Sequence, residues 1–390
     1  MKGEFTIGHV RSIPIKIHWT LILFLPVLAF ILSSQLENVR ELPLVGLDPT
    51  PLLTPEGRIY AGIVVAIGLF VSVLLHELGH AVVAMAEGVE VQQITLWILG
   101  GLAMLKGITK DPKAEAKIAL AGPAVSLALG AIPLTVFAFV DPGPFITFPA
   151  LYLGYLNVTL AVFNMLPAFP LDGGRVLRAL LGFRMSFAKA TNVASTVGKG
   201  MAVLMGLGGL FGGSFLLIFV ALFVYMAASQ EAKGVELFDA LERVAVRQIM
   251  DTEVPAVRPD AHVDDLVAMM LQTQATGFPV VADDTVLGVV TLEDIQSVPE
   301  AERSLTRIED VMTTDVDTVT PAERASNAMR KMMDEDLGRL LVVENGRLAG
   351  VLTRRSLMQA FEILQILPQR DPDLERPMPR GTETSGPFRW

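Results

Sequence analysis

The chain contains no cysteine. That removes disulfides and every thiolate-ligated metal site, so a bound metal has to be held by His, Asp or Glu. Histidine is scarce too, with five in 390 residues. Charge is the third shortage: 18% of residues are Asp, Glu, Lys or Arg, 52% are hydrophobic, and mean hydropathy is +0.50. Soluble globular chains carry more charge than this, and the composition points to a polytopic membrane protein. The charge that is present is unevenly spread. Residues 1–230 hold 14 Lys/Arg and 12 Asp/Glu, a net of +2, whereas residues 231–390 hold 17 and 29, a net of −12. An apolar half is followed by an acidic soluble half, which argues against nucleic acid as a partner. The start, MKGEFTIGHVRSIPIKIHW, lacks a signal-peptide cleavage site, so the apolar run after it is expected to stay as a membrane helix.

Six apolar stretches have the length of membrane spans: about 17–35, 59–86, 117–140, 145–166, 194–211 and 213–229. Pro43, Pro49, Pro51 and Pro55 act as helix breakers between the first two. Residues 91–105, VQQITLWILGGLAML, are too short and too glycine-broken to span, and read as a β-hairpin or re-entrant segment. Such backbone is tolerated at membrane depth only under cover of protein or a polar cavity. In the third span Ala121, Gly122, Ala124 and Ser126 allow close helix packing. Lys and Arg concentrate in alternate loops, which predicts a multi-pass cell-membrane protein with both termini cytoplasmic.

Within the second span stands VSVLLHELGH. His76 and His80, four apart, fall on one face of a helix about one turn apart, the geometry of two zinc ligands, with Glu77 beside them. Ionisable groups in a membrane span are costly, about 2–3 kcal/mol each on insertion scales, and mark function. A catalytic zinc takes three protein ligands. The topology brings Asp172, in PLDGGR, to similar depth just past the inner end of the fourth span, as the best third ligand. Asp-Gly-Gly is also ordinary turn chemistry, and Asp172 could equally cap the RVLRALL helix. Of the other histidines, His18 reads as interfacial and His262 as solvated, and His9 is unassigned.

The acidic half contains an internal repeat. Met250 and Met312, Pro259 and Pro321, Gly288 and Gly350, and Thr291 and Thr353 are all 62 apart. Each copy reads as strand, helix, two strands joined by a turn (Asp283-Asp284, then Asn345-Gly346), and a helix. The expected organisation is a membrane domain at 1–230, an amphipathic linker helix at 231–247, a repeat module at 248–362 (copies at about 248–300 and 308–362), and a disordered Pro- and charge-rich tail at 368–390.

HELGH in a span, followed about ninety residues later by NMLPAFPLDGG, resembles the site-2 protease family of intramembrane zinc metalloproteases over about residues 15–230. The resemblance implies one zinc ion per chain on His76, His80 and Asp172, with Glu77 as the catalytic base. It implies Asn164 as a polar group assisting substrate or oxyanion binding. The ILGGLA hairpin would pair with an unwound substrate as an added strand, with Gly100 and Gly101 permitting close approach. Implied partners are the lipid bilayer and single-span membrane-tethered substrates, cleaved by regulated intramembrane proteolysis.

The repeat, at about 245–362, resembles a pair of CBS motifs forming one Bateman module. Such modules often bind an adenine nucleotide of the ATP or AMP type, and pairing of modules would make a homodimer. Gly288, Thr291 and Asp294 match the nucleotide-binding element; the second copy keeps Gly350 and Thr353 but has Ser356 for the acid. The fold class expected is thus a polytopic α-helical membrane protein with about six transmembrane helices and a membrane-associated β-hairpin, plus an α/β tandem CBS domain. Two other functions stay open: a CBS-gated metal or ion transporter using the same His/Asp cluster, and a catalytically inactive scaffold.

Overall fold

The computed structural model describes residues 3–11, 13–36, 50–98, 100–105, 109–137, 139–140 and 142–366. Pro43, Pro49 and the 368–390 tail lie outside the described residues. The chain divides into two compact units, Met1–Val235 and Glu236–Trp390.

The first unit opens with β1 (Glu4–Val10) and β2 (Ile13–His18), then α1 (Trp19–Ser34) and α2 (Pro55–Ala86). β3 (Val91–Trp97) and β4 (Gly100–Leu105) form the expected hairpin, and α3 (Pro112–Val136), α4 (Pro144–Asn164), α5 (Asp172–Gly182), α6 (Phe187–Phe211) and α7 (Phe215–Glu242) follow. Among the described residues five helices, α2, α3, α4, α6 and α7, are long and apolar enough to cross a membrane, and α1 is a sixth apolar helix of 16 residues. At 1.5 Å per residue α1 is about 24 Å long, short of a ~30 Å hydrocarbon core.

Pro55, expected as a breaker, instead starts α2. It stands in the first turn, where a missing N–H costs nothing, and the Thr54 side chain accepts from Gly57 N at 3.1 Å. The residues expected as a separate linker helix lie largely on α7, which runs unbroken to Glu242.

The two N-terminal strands extend the hairpin into one sheet of order β1-β2-β3-β4, antiparallel except for the parallel β2–β3 pair. Alternation of Ile13, Ile15 and Ile17 with Pro14, Lys16 and His18 carries the signal for β2, and Ile13 and Ile15 are buried. Ile13, Val91 and Ile94 pack with Ala81 and Ala84 of α2 and Ile118 of α3. That cluster fixes the sheet beside the last turns of α2. Elsewhere α2 presents Ala61, Val65 and Ala66 to Ala29 and Leu32 of α1 and to Phe148 and Tyr152 of α4. Large apolar side chains such as Ile22, Phe30, Leu204 and Phe219 stay exposed on α1, α6 and α7, as a helix surface solvated by lipid requires.

The second unit contains α8 (Val263–Thr273), β5 (Gly277–Ala282), β6 (Thr285–Thr291), α9 (Leu292–Gln296), α10 (Ile308–Val311), β7 (Thr318–Val319), α11 (Ala325–Asp334), β8 (Arg339–Glu344), β9 (Arg347–Thr353) and α12 (Arg354–Ile366). Its mixed sheet runs β5-β6-β9-β8-β7. Both hairpin turns are where the repeat puts them, with positive φ at Asp283, Asp284, Asn345 and Gly346. Two cores form, and matching positions fill them: Leu266, Met270, Phe278, Val280 and Ile295 in one, and Ala328, Met332, Leu340, Val342 and Leu357 in the other. The leading residues are exchanged. Ile308, which opens the second copy, lies in the first core, and Val246, which opens the first, lies in the second. The bridges Asp251↔Val351 and Val289↔Thr313 repeat the exchange. Each copy therefore completes the other, and neither core is whole alone.

Candidate metal centre

Ser72, His76, His80 and Ala84 recur every fourth residue and form one buried stripe on α2. His76 Nε2 and His80 Nε2 are 3.1 Å apart, and Asp172 Oδ2 is 3.2 Å from each. All three residues are buried, and their ligand atoms form the group able to hold a metal among the described residues. Asp172 is the first residue of α5. The N-cap position belongs to Leu171, which makes no side-chain cap, so the carboxylate is turned to the imidazoles and does not cap the helix.

The other ring nitrogens are engaged by α3. His80 Nδ1 donates to the Ile118 carbonyl at 2.7 Å, and His76 Nδ1 lies 2.9 Å from Ser126 Oγ. A carbonyl only accepts, so His80 Nδ1 carries a proton, and in the neutral ring Nε2 then offers a lone pair. With His76 in the same neutral tautomer, which the Ser126 hydroxyl can accommodate, three acceptor atoms converge within hydrogen-bond distance, an arrangement that a cation stabilises. Ligands of a tetrahedral zinc with bonds near 2.0–2.1 Å lie about 3.3 Å apart, close to the spacing observed. Gly122 of α3 faces both Nε2 atoms, and a Cβ there would overlap His80 Nε2 and come within 2.6 Å of His76 Nε2. The cradle is therefore a fit for a small cation held by two imidazoles and one carboxylate.

Glu77, next to this stripe, packs on the backbone of β4. A Cβ on Gly101 would overlap the Glu77 stem and sit 3.0 Å from Oε1. Gly100 has φ +132 and open space where a side chain would be. Asn164, at the end of α4, turns back on its own helix and donates to the Leu160 carbonyl at 3.0 Å. Asn157, which belongs to none of the sequence motifs, is one of the most buried polar residues of α4. It donates to Ser72 Oγ at 3.0 Å and to the Leu153 carbonyl at 2.9 Å, one turn before His76 on the same α2 stripe. An Asn in the middle of an apolar span was the available signal. The orienting roles of Ser126 and the Ile118 carbonyl had no local signal, because they arise only when α3 meets α2.

In the second unit Thr291 and Asp294 are together. Thr291 N and Oγ1 both donate to Asp294 Oδ2 at 2.7 Å, and Asp294 N donates to Thr291 Oγ1 at 3.5 Å, a capping box on α9. The second copy makes the same contact with Ser356 in place of the acid, Thr353 Oγ1 lying 2.8 Å from Ser356 Oγ.

Comparison with known proteins follows the same division. The model of peptidase family M50 matches residues 64–147 and 141–207, and that of the CBS domain matches 246–300 and 308–363. The zinc metalloprotease MJ0392 of Methanocaldococcus jannaschii is 35% identical over 367 residues, 94% of this chain and 98% of its own. Rip3 of Mycobacterium tuberculosis, provisionally named a zinc metalloprotease, is 30% identical over 386 residues, 94% of this chain and 95% of its own. Among solved structures, a site-2 protease from Methanocaldococcus jannaschii is 38% identical, covering 59% of this chain and 95% of its own, with a TM-score of 0.42.

Proposed function

The chain belongs to peptidase family M50, the zinc metalloproteases of site-2 protease type, and from that premise we propose that it is an intramembrane endopeptidase cleaving membrane-tethered proteins in or near their transmembrane segments. The observation that carries this reading is the convergence of three buried ligand atoms, from α2 and α5, within 3.2 Å beside a glutamate. His76, His80 and Asp172 hold the zinc. When bound, zinc supplies the Lewis acidity that polarises a peptide carbonyl and acidifies water. Glu77 takes the proton of the attacking water and returns it to the leaving amine. Ser126 and the Ile118 carbonyl keep both rings turned to the ion.

A transmembrane helix hides its peptide bonds in intrahelical hydrogen bonds, so cleavage first requires unwinding. β4 is the terminal strand of its sheet among the described residues and lies against Glu77 through Gly101. Its outer edge offers backbone partners to an unwound segment brought to Glu77. Asn164 assists from the end of α4 once its side chain leaves the Leu160 carbonyl. The protease part comprises residues 1–230 and the regulatory part 248–362, with both termini and the CBS pair on the cytoplasmic side. An adenine nucleotide binds near Thr291 and Asp294 and changes access to the site, and two modules can pair to form a dimer.

Cleavage of a single-span model substrate and bound zinc, measured together, test the catalytic reading. Glu77→Gln should keep its zinc and lose about 10²–10⁴ in kcat. Asp172→Ala should lose zinc affinity; full retention would remove Asp172 from the ligand set, and cleavage by Glu77→Gln at the normal rate would remove the base. For regulation, ATP or AMP titrated into the purified protein should shift the cleavage rate as it binds. Binding with no change in rate would eliminate gating.

A further inference from the structure

Six residues beyond Asp172 on α5, the guanidinium of Arg178 is buried. Its Nε donates to Glu115 Oε1 at 2.7 Å, Nη2 reaches the same carboxylate oxygen, and Nη1 donates to Glu231 Oε1. The rings of Phe169 and Phe187 cover it, with centroids 5.0 and 4.7 Å away. Glu115 is as buried as its partner, whereas the Glu231 side chain is 39% exposed.

A buried ion triad is a weak source of stability. Desolvation offsets most of its attraction, and apolar replacements of such triads are often as stable or more so. What the planar fork supplies is direction, because its donors hold carboxylates along fixed lines. Here those lines join three helices. Glu115 is on α3, one turn before Ile118 and on the face that carries Gly122 and Ser126, the face that orients both histidines. Glu231 is on α7. Arg178 is on the 11-residue helix whose first residue is Asp172. Residues six apart on a helix point about 120° apart, so Arg178 and Asp172 grip α5 from different sides.

We propose that Arg178 is a positioning residue for the metal centre: by clamping α5 to α3 and α7 it holds the Asp172 carboxylate at ligand distance from His76 and His80. This rests on the reading of those three residues as zinc ligands. The Glu115 arm ties the third ligand to the helix that orients the first two. The Glu231 arm makes the setting of α5 depend on α7 as well.

The test uses the full-length protein in detergent. Zinc affinity is measured by competition with a chromophoric chelator, and thermal unfolding of the zinc-free protein is recorded beside it. Arg178→Lys keeps the charge and loses the fork, and should weaken zinc binding about 10–100-fold. Glu231→Gln, with the Glu115 arm intact, should weaken it by at least about threefold. In an Asp172→Ala background Arg178→Lys should add no further loss, since the ligand it positions is gone. Zinc affinity within twofold of the parent in Arg178→Lys, with only the melting temperature lowered, would make the triad a brace and overturn the proposal. If Arg178→Lys does not fold, Glu231→Gln decides by the same criterion. Asp172→Ala at parental affinity removes the ligand reading and the proposal with it. Weakened Asp172→Ala beside unchanged Arg178→Lys and Glu231→Gln removes the positioning role alone.

Discussion

Gly122 is the residue with least freedom at the candidate centre. Its missing Cβ is what lets α3 close on two imidazole nitrogens at once. Gly122→Ala costs a helix nothing by propensity, since Ala is the better helix former. The expected result is therefore a protein of unchanged helicity by circular dichroism that has lost bound zinc, with affinity down by about 10–100-fold or more. Unchanged zinc content would show that the space facing both Nε2 atoms is not where the ion sits. His76, Glu77 and His80 were legible because their relation is local: a spacing of four on a helix fixes a shared face whatever the surroundings. Gly122 was legible only as a small residue suited to close packing. That its neighbour is an imidazole pair depends on how two helices cross.

At the scale of elements, α3 and β4 divide the site between them. α3 orients the two rings through Ile118 and Ser126, and β4 covers Glu77 through Gly101. Gly101→Ala should therefore separate functions that Gly122→Ala does not. Displacing the Glu77 stem should abolish most cleavage while zinc content stays at the parental level. Loss of zinc in Gly101→Ala would contradict this division. The β3–β4 hairpin was legible from its length and central glycines, but β1 and β2 were not expected. Their signal, three isoleucines at alternate positions, is short, and pairing across about eighty residues of chain is what makes it a sheet.

At the scale of the molecule, two units carry separate cores, and the second closes only by exchange between its copies. Met332 is fully buried in the second of the module's cores. Met332→Ala should destabilise the module by about 2–5 kcal/mol, seen as an earlier thermal transition. Bound zinc should be unchanged, because no ligand or orienting residue belongs to that core. A matching fall in zinc affinity would mean that the units do not unfold independently.

The sequence by itself determined the membrane class, five of the six expected spans, the repeat and half of the candidate metal site. Each of these rests on composition or on residues close in the chain, where spacing alone fixes geometry. Tertiary structure decided the rest. Asp172 had three readings, turn, cap and ligand, and the packing of α5 puts its one carboxylate 3.2 Å from both imidazoles of α2. Ser126, Ile118, Gly122 and Arg178 acquired their relation to that site only by packing. A polar or small residue in an apolar helix announces a cost, but the group that repays it lies on another helix, and the choice of that neighbour is written in no local pattern.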